Sequence, residues 1–303
     1  MPPPTIHRLR LSRRGLDRYF ADFLEFLKSV RPETRGTYER ALREFVRWFA
    51  ADGKVAFIVA DVERYKRHLT NRKKLAPVSV STYLTALRRF CAFLVGQGIL
   101  KENPALHVGG NERPRDHTRD VLTAEEAASL LASLTAEDER GRRDTAMIRL
   151  MLSCGLSEIE LILADVRDLK AINGQTILMV QGKGHRSKDQ VVFLQEETRL
   201  ALMAYLASRA ETRPGDPLFA SAGNRTRGER MTTRGIRDRV NASLERAGIR
   251  GEGGRRVSPY SLRHTAAILL VRSGVTVEEL QQRMRLGSRA TAEFYFSKKG
   301  PDA

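Results

Sequence analysis

The chain of 303 residues is poor in cysteine, with two, and in tryptophan, with one. Cys91 and Cys154 stand in apolar helical patterns, and two isolated cysteines supply neither a disulfide framework nor a zinc-ligand spacing. They are typical of small buried hydrophobic residues in a reducing compartment. The first residues lack the apolar core of a signal peptide. No run approaches the roughly 18 apolar residues of a membrane span. These absences predict a cytoplasmic protein without a membrane partner.

Positive charge is what the chain has in excess, with 53 Lys+Arg against 36 Asp+Glu and a net charge of +17. Residues 1–117 hold 23 basic and 12 acidic residues, a net of +11, whereas the remainder carries +6. An excess concentrated in one part of a chain favours a surface that binds a polyanion, most often nucleic acid. The alternative is a basic surface that is simply solvated.

Apolar residues recur at helical spacing through residues 15–100 and predict a small helical domain. Pro32 and Pro77 each mark the start of a helix, where the missing amide hydrogen of proline does no harm. Basic residues stand between the apolar stripes and suit contacts with the phosphates of double-stranded DNA. The predicted DNA contacts are Arg40, Arg43, Arg47, Lys66, Arg67, Lys73, Lys74, Arg88 and Arg89.

A charged run from Asn111 to Asp120, with glycines before it and a proline inside it, predicts an interdomain linker. It divides the chain into a helical DNA-binding domain at residues 1–110, a linker at 111–120 and a second domain at 121–303. Two domains suit a chain of this length.

The second domain mixes helical and strand patterns. Thr123, followed by an acidic first turn, predicts a capped helix start. Residues 176–180 and 191–194 predict two strands around a Gly-Lys-Gly turn. Further helices are predicted at 196–209, 232–247, 263–273 and 277–285. The predicted fold class is therefore mainly α with a small antiparallel β-sheet in the second domain, an α+β arrangement.

Several short motifs follow one another along the second domain. They are Gly155-Leu156-Ser157-Glu158-Ile159-Glu160, Gln181-Gly182-Lys183-Gly184, Pro217-Leu218-Phe219, Ser261-Leu262-Arg263-His264-Thr265 and Thr291-Ala292-Glu293-Phe294-Tyr295. With this order and spacing the chain resembles the tyrosine recombinases, the phage-integrase and Xer-like family. In the first domain, Thr37-Tyr38 and Asn103-Pro104-Ala105 are similar to that family's core-binding domain.

The resemblance implies DNA strand breakage and rejoining by metal-free transesterification, with no cofactor. In this family a tyrosine hydroxyl attacks a phosphodiester and forms a 3′-phosphotyrosyl link, which divides one difficult displacement into two easier ones. Arginines neutralise the charge of the transition state, and a general acid protonates the leaving 5′-oxygen. The implied partners are double-stranded DNA, further copies of the chain in a dimer or tetramer, and a second recombinase. The implied setting is a mobile element at the nucleoid.

Three residues of this chain match the family's active-site positions. Tyr295 matches the nucleophile, although its phenylalanine neighbours also suit a core tyrosine. Arg263 matches the second of two phosphate-binding arginines, for which a surface arginine is the alternative. Lys183 matches the lysine of the β-hairpin, the expected general acid, and a plain turn residue is the alternative.

Three other active-site positions carry different residues. Ser157 replaces the first arginine of the pattern Gly-Leu-Arg-x-x-Glu, and Tyr260 replaces a histidine. Leu286 stands nine residues before Tyr295, where the family has histidine or tryptophan; a two-residue gap would place that position at Ser288. His264 occupies a different motif position and is not expected to compensate.

These substitutions leave two hypotheses open. Removing one donor to a developing oxyanion typically costs ~10²–10³ in rate, and one arginine at a phosphoryl centre contributes ~10³–10⁵. The chain is therefore either a divergent recombinase or a relative that binds DNA without cutting it and acts as an architectural or regulatory partner. Arg149 or Arg167 is a candidate substitute for the first arginine, although no motif places either.

Overall fold

The structure, a computed structural model, describes residues 13–30, 32–52, 57–110, 120–182, 185–223, 226–250 and 255–297. The chain divides into two compact units, Met1–Asp116 and His117–Ala303. Residues 111–119 of the predicted linker lie outside the described ranges, so its bounds stay a prediction.

Helices make up the described part of the first unit, and each follows a break in the apolar pattern. Their bounds are α1 Arg13–Phe26, α2 Pro32–Asp52, α3 Val59–Arg67 and α4 Pro77–Gly96. Short turns extend α1 over Leu27–Ser29 and α3 over His68–Arg72. Aromatic side chains form the centre of the core, where Phe45 meets Tyr65 edge to face at 5.1 Å between centroids. Such pairs stabilise a core beyond the area they bury.

Helix α4 is long and apolar enough to cross a membrane by length and composition alone, contrary to the expectation that no run approaches a membrane span. Buried core helices satisfy the same criterion. Leu84, Leu87, Phe90 and Leu94 all lie in the core of the first unit. The apolar face of α4 is therefore explained by packing within this unit.

The second unit surrounds a larger core with helices and one small sheet. Its helices are α5 Ala124–Ala132, α6 Glu139–Ser153, α7 Glu158–Leu163, α8 Glu196–Ala207, α9 Thr233–Arg246, α10 Pro259–Arg272, α11 Val277–Arg283 and α12 Arg289–Ser297. The strands are β1 Leu169–Ile172, β2 Gln175–Val180 and β3 Gln190–Phe193, antiparallel in the order β1-β2-β3. The predicted fold class is confirmed.

Local capping chemistry explains where several helices begin. Thr123 accepts a hydrogen bond from the Glu126 amide at 3.1 Å, and Glu126 accepts one from the Thr123 amide at 2.8 Å. This capping box confirms the predicted start of α5. Helix α10 begins at Pro259 and not at residue 263, because Pro259 suits the first helical turn. Arg263 therefore lies one turn inside the helix.

A separate small core joins α10, α11 and α12. Its members are Ala266, Ala267, Ile268, Leu280, Met284, Ala292 and Tyr295. Helix α12 packs against both other helices. This packing holds the side chain of Tyr295 against α10, the helix that carries Arg263.

Candidate active site

The side chain of Tyr295 points into the protein and meets His264. Its hydroxyl lies 2.7 Å from Nδ1 of His264, and only 3% of Tyr295 is exposed. Tyr260 covers the imidazole from another side, with ring centroids 4.6 Å apart and the planes nearly perpendicular. Tyr260 itself is 39% exposed. The structure thus brings Tyr295 together with the residue at one of the substituted positions.

Burial raises the pKa of Tyr295 above its ordinary value, and nearby Tyr260 adds to the rise. The positive charge of Arg263 acts in the opposite direction. Because burial is the largest cause, the hydroxyl stays protonated at neutral pH. Attack on phosphorus by this oxygen therefore requires a group that accepts its proton.

Arg263 is buried and holds the turn that precedes α7. Its Nη1 donates to the carbonyl oxygen of Gly155 at 2.6 Å and to Glu160 Oε2 at 2.8 Å. Its Nη2 donates to the carbonyl of Met284. Within the described part of the chain, Nε of Arg263 donates to no protein acceptor. The guanidinium therefore keeps donor capacity for an anion while its orientation is fixed.

Arg285 is the residue of this site that sequence reasoning missed. Its Nε donates to Glu160 Oε1 at 2.6 Å, and its Nη2 donates to the carbonyl of Gly155 at 3.0 Å. Only 2% of its side chain is exposed. It therefore shares two acceptors with Arg263. The one local signal was an arginine at a helix end where glycine is usual.

Glu160 is the buried carboxylate between these two arginines. Burial alone would raise its pKa, but the charges of Arg285 and Arg263 lower the pKa below its ordinary value. Glu160 is therefore ionised at neutral pH. The three charged groups form one buried cluster with a net charge of +1.

Two of the residues at the substituted positions cap a helix or pack in the core. The Ser157 hydroxyl accepts from the Glu160 amide at 3.3 Å and caps α7. Leu286 is half-buried and packs against the small core of α10 to α12. Ser288, the alternative for that position, is exposed and lies 2.9 Å from the Thr291 hydroxyl. Neither alternative supplies an imidazole, as the sequence indicated.

Lys183 lies outside the described residues, so its predicted role stays a prediction. The same hairpin carries Lys188, whose Nζ lies 2.6 Å from Asp165 and 2.5 Å from Asp168. These two carboxylates fasten Lys188 to the loop before β1. Arg167, one of the suggested substitutes for the first arginine, instead approaches Asp165 at 3.6 Å.

Seven of the nine basic side chains predicted to contact DNA are exposed on the first unit: Arg40, Arg43, Arg47, Arg67, Lys73, Lys74 and Arg89. The other two are half-buried. Lys66 donates to the carbonyl of Gly109 at 2.8 Å, and Arg88 donates to those of Ala105 at 3.0 Å and Val108 at 2.7 Å. Lys66 and Arg88 therefore fasten the last described residues of this unit.

Two protein-family models match the chain. One, described as the phage integrase family, matches residues 120–299, more than half of the chain. The other, described as the phage integrase N-terminal SAM-like domain, matches residues 18–99.

Curated relatives match along nearly the whole chain. The tyrosine recombinase XerC of Azotobacter vinelandii is 31% identical, covering 91% of this chain and 89% of that protein. The tyrosine recombinase XerD of Pseudomonas aeruginosa is 30% identical, covering 91% and 90%. Among solved structures, the XerH site-specific recombinase bound to palindromic difH substrate, a post-cleavage complex, has a TM-score of 0.71 at 18% identity, covering 94% of this chain and 81% of that one.

Proposed function

Because the chain belongs to the phage integrase family, we propose that it is a site-specific DNA recombinase that breaks and rejoins strands through a phosphotyrosyl link on Tyr295. One observation carries this proposal. The Tyr295 hydroxyl lies 2.7 Å from His264, the neighbour of Arg263 on α10. A nucleophile, a proton acceptor and a fixed cation therefore meet on two packed helices, which is the arrangement that covalent catalysis requires.

In the proposed reaction a named residue carries out each proton transfer and each change of bond. The Tyr295 oxygen attacks phosphorus while its proton passes to unprotonated Nδ1 of His264. The bond from phosphorus to the 5′-oxygen breaks, and Lys183 donates a proton to the leaving oxygen. Arg263 binds the nonbridging oxygens, whose negative charge grows in the transition state. Attack by a 5′-hydroxyl of the partner strand reverses these steps and releases Tyr295.

The partner is double-stranded DNA, bound by the exposed basic side chains of the first unit. The XerH recombinase described above is bound to a palindromic substrate, from which we infer two copies of this chain on one site, because DNA palindromy mirrors the two-fold symmetry of bound protein. We expect a dimer that pairs into a tetramer for strand exchange. The occurrence of both XerC and XerD among the relatives makes a second recombinase a further candidate partner. Because a recombinase works where the DNA is, we infer that the protein acts at the nucleoid in the cytoplasm.

A covalent-capture assay tests the proposal. Purified protein is incubated with nicked, end-labelled duplexes tiled across the DNA that flanks its own gene, and the products are separated on a denaturing gel. A nick next to the cleavage site lets the released fragment diffuse away, which traps the phosphotyrosyl adduct. We expect a shifted band that Tyr295→Phe abolishes while DNA affinity stays unchanged. An equally strong band from Tyr295→Phe contradicts the assignment of the nucleophile.

The second candidate function is DNA binding without cleavage, favoured by the residues at the substituted positions. Ser157 caps a helix and Leu286 packs in an apolar core, so neither supplies a cationic donor. DNA binding with no adduct from the wild-type protein would support this second function. The combined substitutions Ser157→Arg, Tyr260→His and Leu286→His would then restore adduct formation if only the chemistry has decayed. Failure of that rescue would indicate that assembly has diverged as well.

A further inference from the structure

Two buried arginines share one carboxylate beside the candidate nucleophile. Glu160 accepts from Arg263 through Oε2 at 2.8 Å and from Arg285 through Oε1 at 2.6 Å. Both guanidiniums also donate to the carbonyl oxygen of Gly155. The two arginines are therefore parts of one network, and a change at Arg285 acts on Arg263 through shared acceptors.

The backbone at Arg285 is unfavourable for an arginine. Its φ is +52°, in the left-handed region that glycine adopts with least strain. The turn that ends α11 demands this conformation, because Arg285 N bonds Gln282 O at 3.1 Å and Leu286 N bonds Gln281 O at 2.9 Å. This pair of bonds is the Schellman arrangement, in which glycine is the usual residue. Backbone strain is thus accepted at a site where glycine would avoid it.

Charge explains what the side chain contributes. Arg263 and Glu160 alone form a neutral pair, so the field of Arg263 at a bound phosphate would be largely cancelled. The family pattern places an arginine at the position of Ser157, but serine contributes no charge. Arg285 brings the buried cluster back to a net charge of +1.

The donors of Arg285 show that it acts indirectly. Its Nε and its Nη atoms donate to Glu160 and to the carbonyls of Cys154, Gly155 and Arg283. These bonds use all five of its N–H groups. A phosphate could therefore reach Arg263 but would find no donor remaining on Arg285.

We propose that Arg285 is a positioning residue that replaces the charge of the missing first arginine by neutralising Glu160, so that Arg263 meets the scissile phosphate as an uncompensated cation. The proposal rests on the recombinase function stated above. It assigns to Arg285 an electrostatic effect that depends on the charge of the phosphate. A merely structural arginine would lack this dependence.

The central variant is Arg285→Gly, because glycine suits the left-handed backbone. Arg283→Ala, an exposed arginine at the end of the same helix, is the matched control. In single-turnover capture on an ordinary phosphate we expect Arg285→Gly to slow adduct formation by ~10²-fold, the scale of one lost electrostatic contribution. DNA affinity and the Arg283→Ala rate should stay unchanged. The double variant Ser157→Arg, Arg285→Gly should recover most of the rate.

The deciding substrate carries a methylphosphonate at the mapped cleavage position. This group has lost the negative charge that Arg263 is proposed to bind. On it we expect wild type and Arg285→Gly to differ by less than about threefold, because little charge remains to be stabilised. An equal loss on both substrates would overturn the proposal and make Arg285 a structural residue. An unchanged rate of Arg285→Gly on ordinary phosphate would overturn it too.

The test stays decisive in two other cases. If the wild-type protein forms no adduct, the proposed function fails, but phosphate-ethylation interference in Tyr295→Phe still maps the phosphates that need their charge. Arg285→Gly should then lose interference at the same phosphate as Arg263→Gln, and retained interference contradicts the proposal.

If Arg285→Gly does not fold, Arg285→Lys replaces it. Arg285→Lys keeps the charge, so its rate should exceed that of Arg285→Met on the ordinary phosphate substrate but not on the methylphosphonate substrate.

Discussion

The hydroxyl of Tyr295 and Nδ1 of His264 lie 2.7 Å apart, buried between α12 and α10. From its sequence position His264 is not expected to compensate, because it stands at a different motif position from the replaced histidines. The distance changes that interpretation. A histidine that contacts the nucleophile directly can take up its proton without any help from positions 260 or 286.

We predict that His264→Leu slows adduct formation by about 10²-fold or more, since general base catalysis typically contributes 10²–10⁴. DNA affinity should be unchanged because His264 is buried. His264→Asn should retain part of the rate, since its amide oxygen can accept a hydrogen bond from the Tyr295 hydroxyl near the place of Nδ1. Single-turnover capture of the wild type and both variants measures this. A wild-type rate from His264→Leu would remove His264 from the mechanism.

Glu160→Gln should destabilise the second unit by about 3–5 kcal/mol, because it leaves two buried guanidiniums without their carboxylate. The pKa of Glu160 is lowered in the folded protein, so its contribution is complete above its ordinary pKa and is lost as the pH falls below that value. Denaturant unfolding from pH 7 to pH 3 should therefore show a steeper loss for wild type than for Glu160→Gln.

Glu158→Gln is the control for this measurement, because Glu158 pairs at 2.6 Å with Arg237, whose side chain is 57% exposed. Such a pair is expected to contribute less than about 1 kcal/mol. Equal destabilisation by both variants would contradict the importance of the buried cluster.

The two hairpin lysines should respond differently to the leaving group. If Lys183 protonates the 5′-oxygen, Lys183→Ala should be inactive on ordinary DNA but active on a substrate with sulfur at that bridging position. A thiolate leaves without a proton, so the general acid is no longer needed. Lys188→Ala, which loses its bonds to Asp165 and Asp168, should not be rescued by sulfur. Rescue of Lys188→Ala alone would move the general acid to that residue.

Adjacent arginines on α4 offer a matched test of the DNA surface. Arg89 is exposed, whereas Arg88 is half-buried and bound to two backbone carbonyls. If Arg89 contacts one phosphate, Arg89→Gln should reduce the slope of log affinity against log salt by about 0.9. Arg88→Gln should lower the melting temperature and leave that slope unchanged. The reverse pattern would show that Arg88 is the phosphate contact.

Local chemistry made much of the fold predictable. Pro77 suits a first helical turn, and Thr123 with Glu126 forms a capping box, so the sequence located the starts of α4 and α5. The spacing of apolar residues identified β2 and β3 within one or two residues. Strand β1 escaped notice because its four residues are mostly exposed and carry no alternating pattern.

Contacts between distant parts of the chain were not predictable in this way. Arg285 reaches Glu160 across 125 positions, and no periodicity or motif joins them. Its position near the last motif looked like part of a helix. Arg88 and Arg89 are likewise indistinguishable in sequence, because only the course of residues 105–108 decides which of them is covered.

The entry of the chain into the second unit is tied to the helix that carries Arg263. The Leu122 amide donates to Thr265 Oγ1 at 2.9 Å, and the Arg256 amide donates to Asp120 at 2.7 Å. A tether attached at two such points transmits tension. Any pull on the backbone at residue 120 is borne first by the residues just before α10 and by Thr265, two residues from the arginine that would bind the DNA.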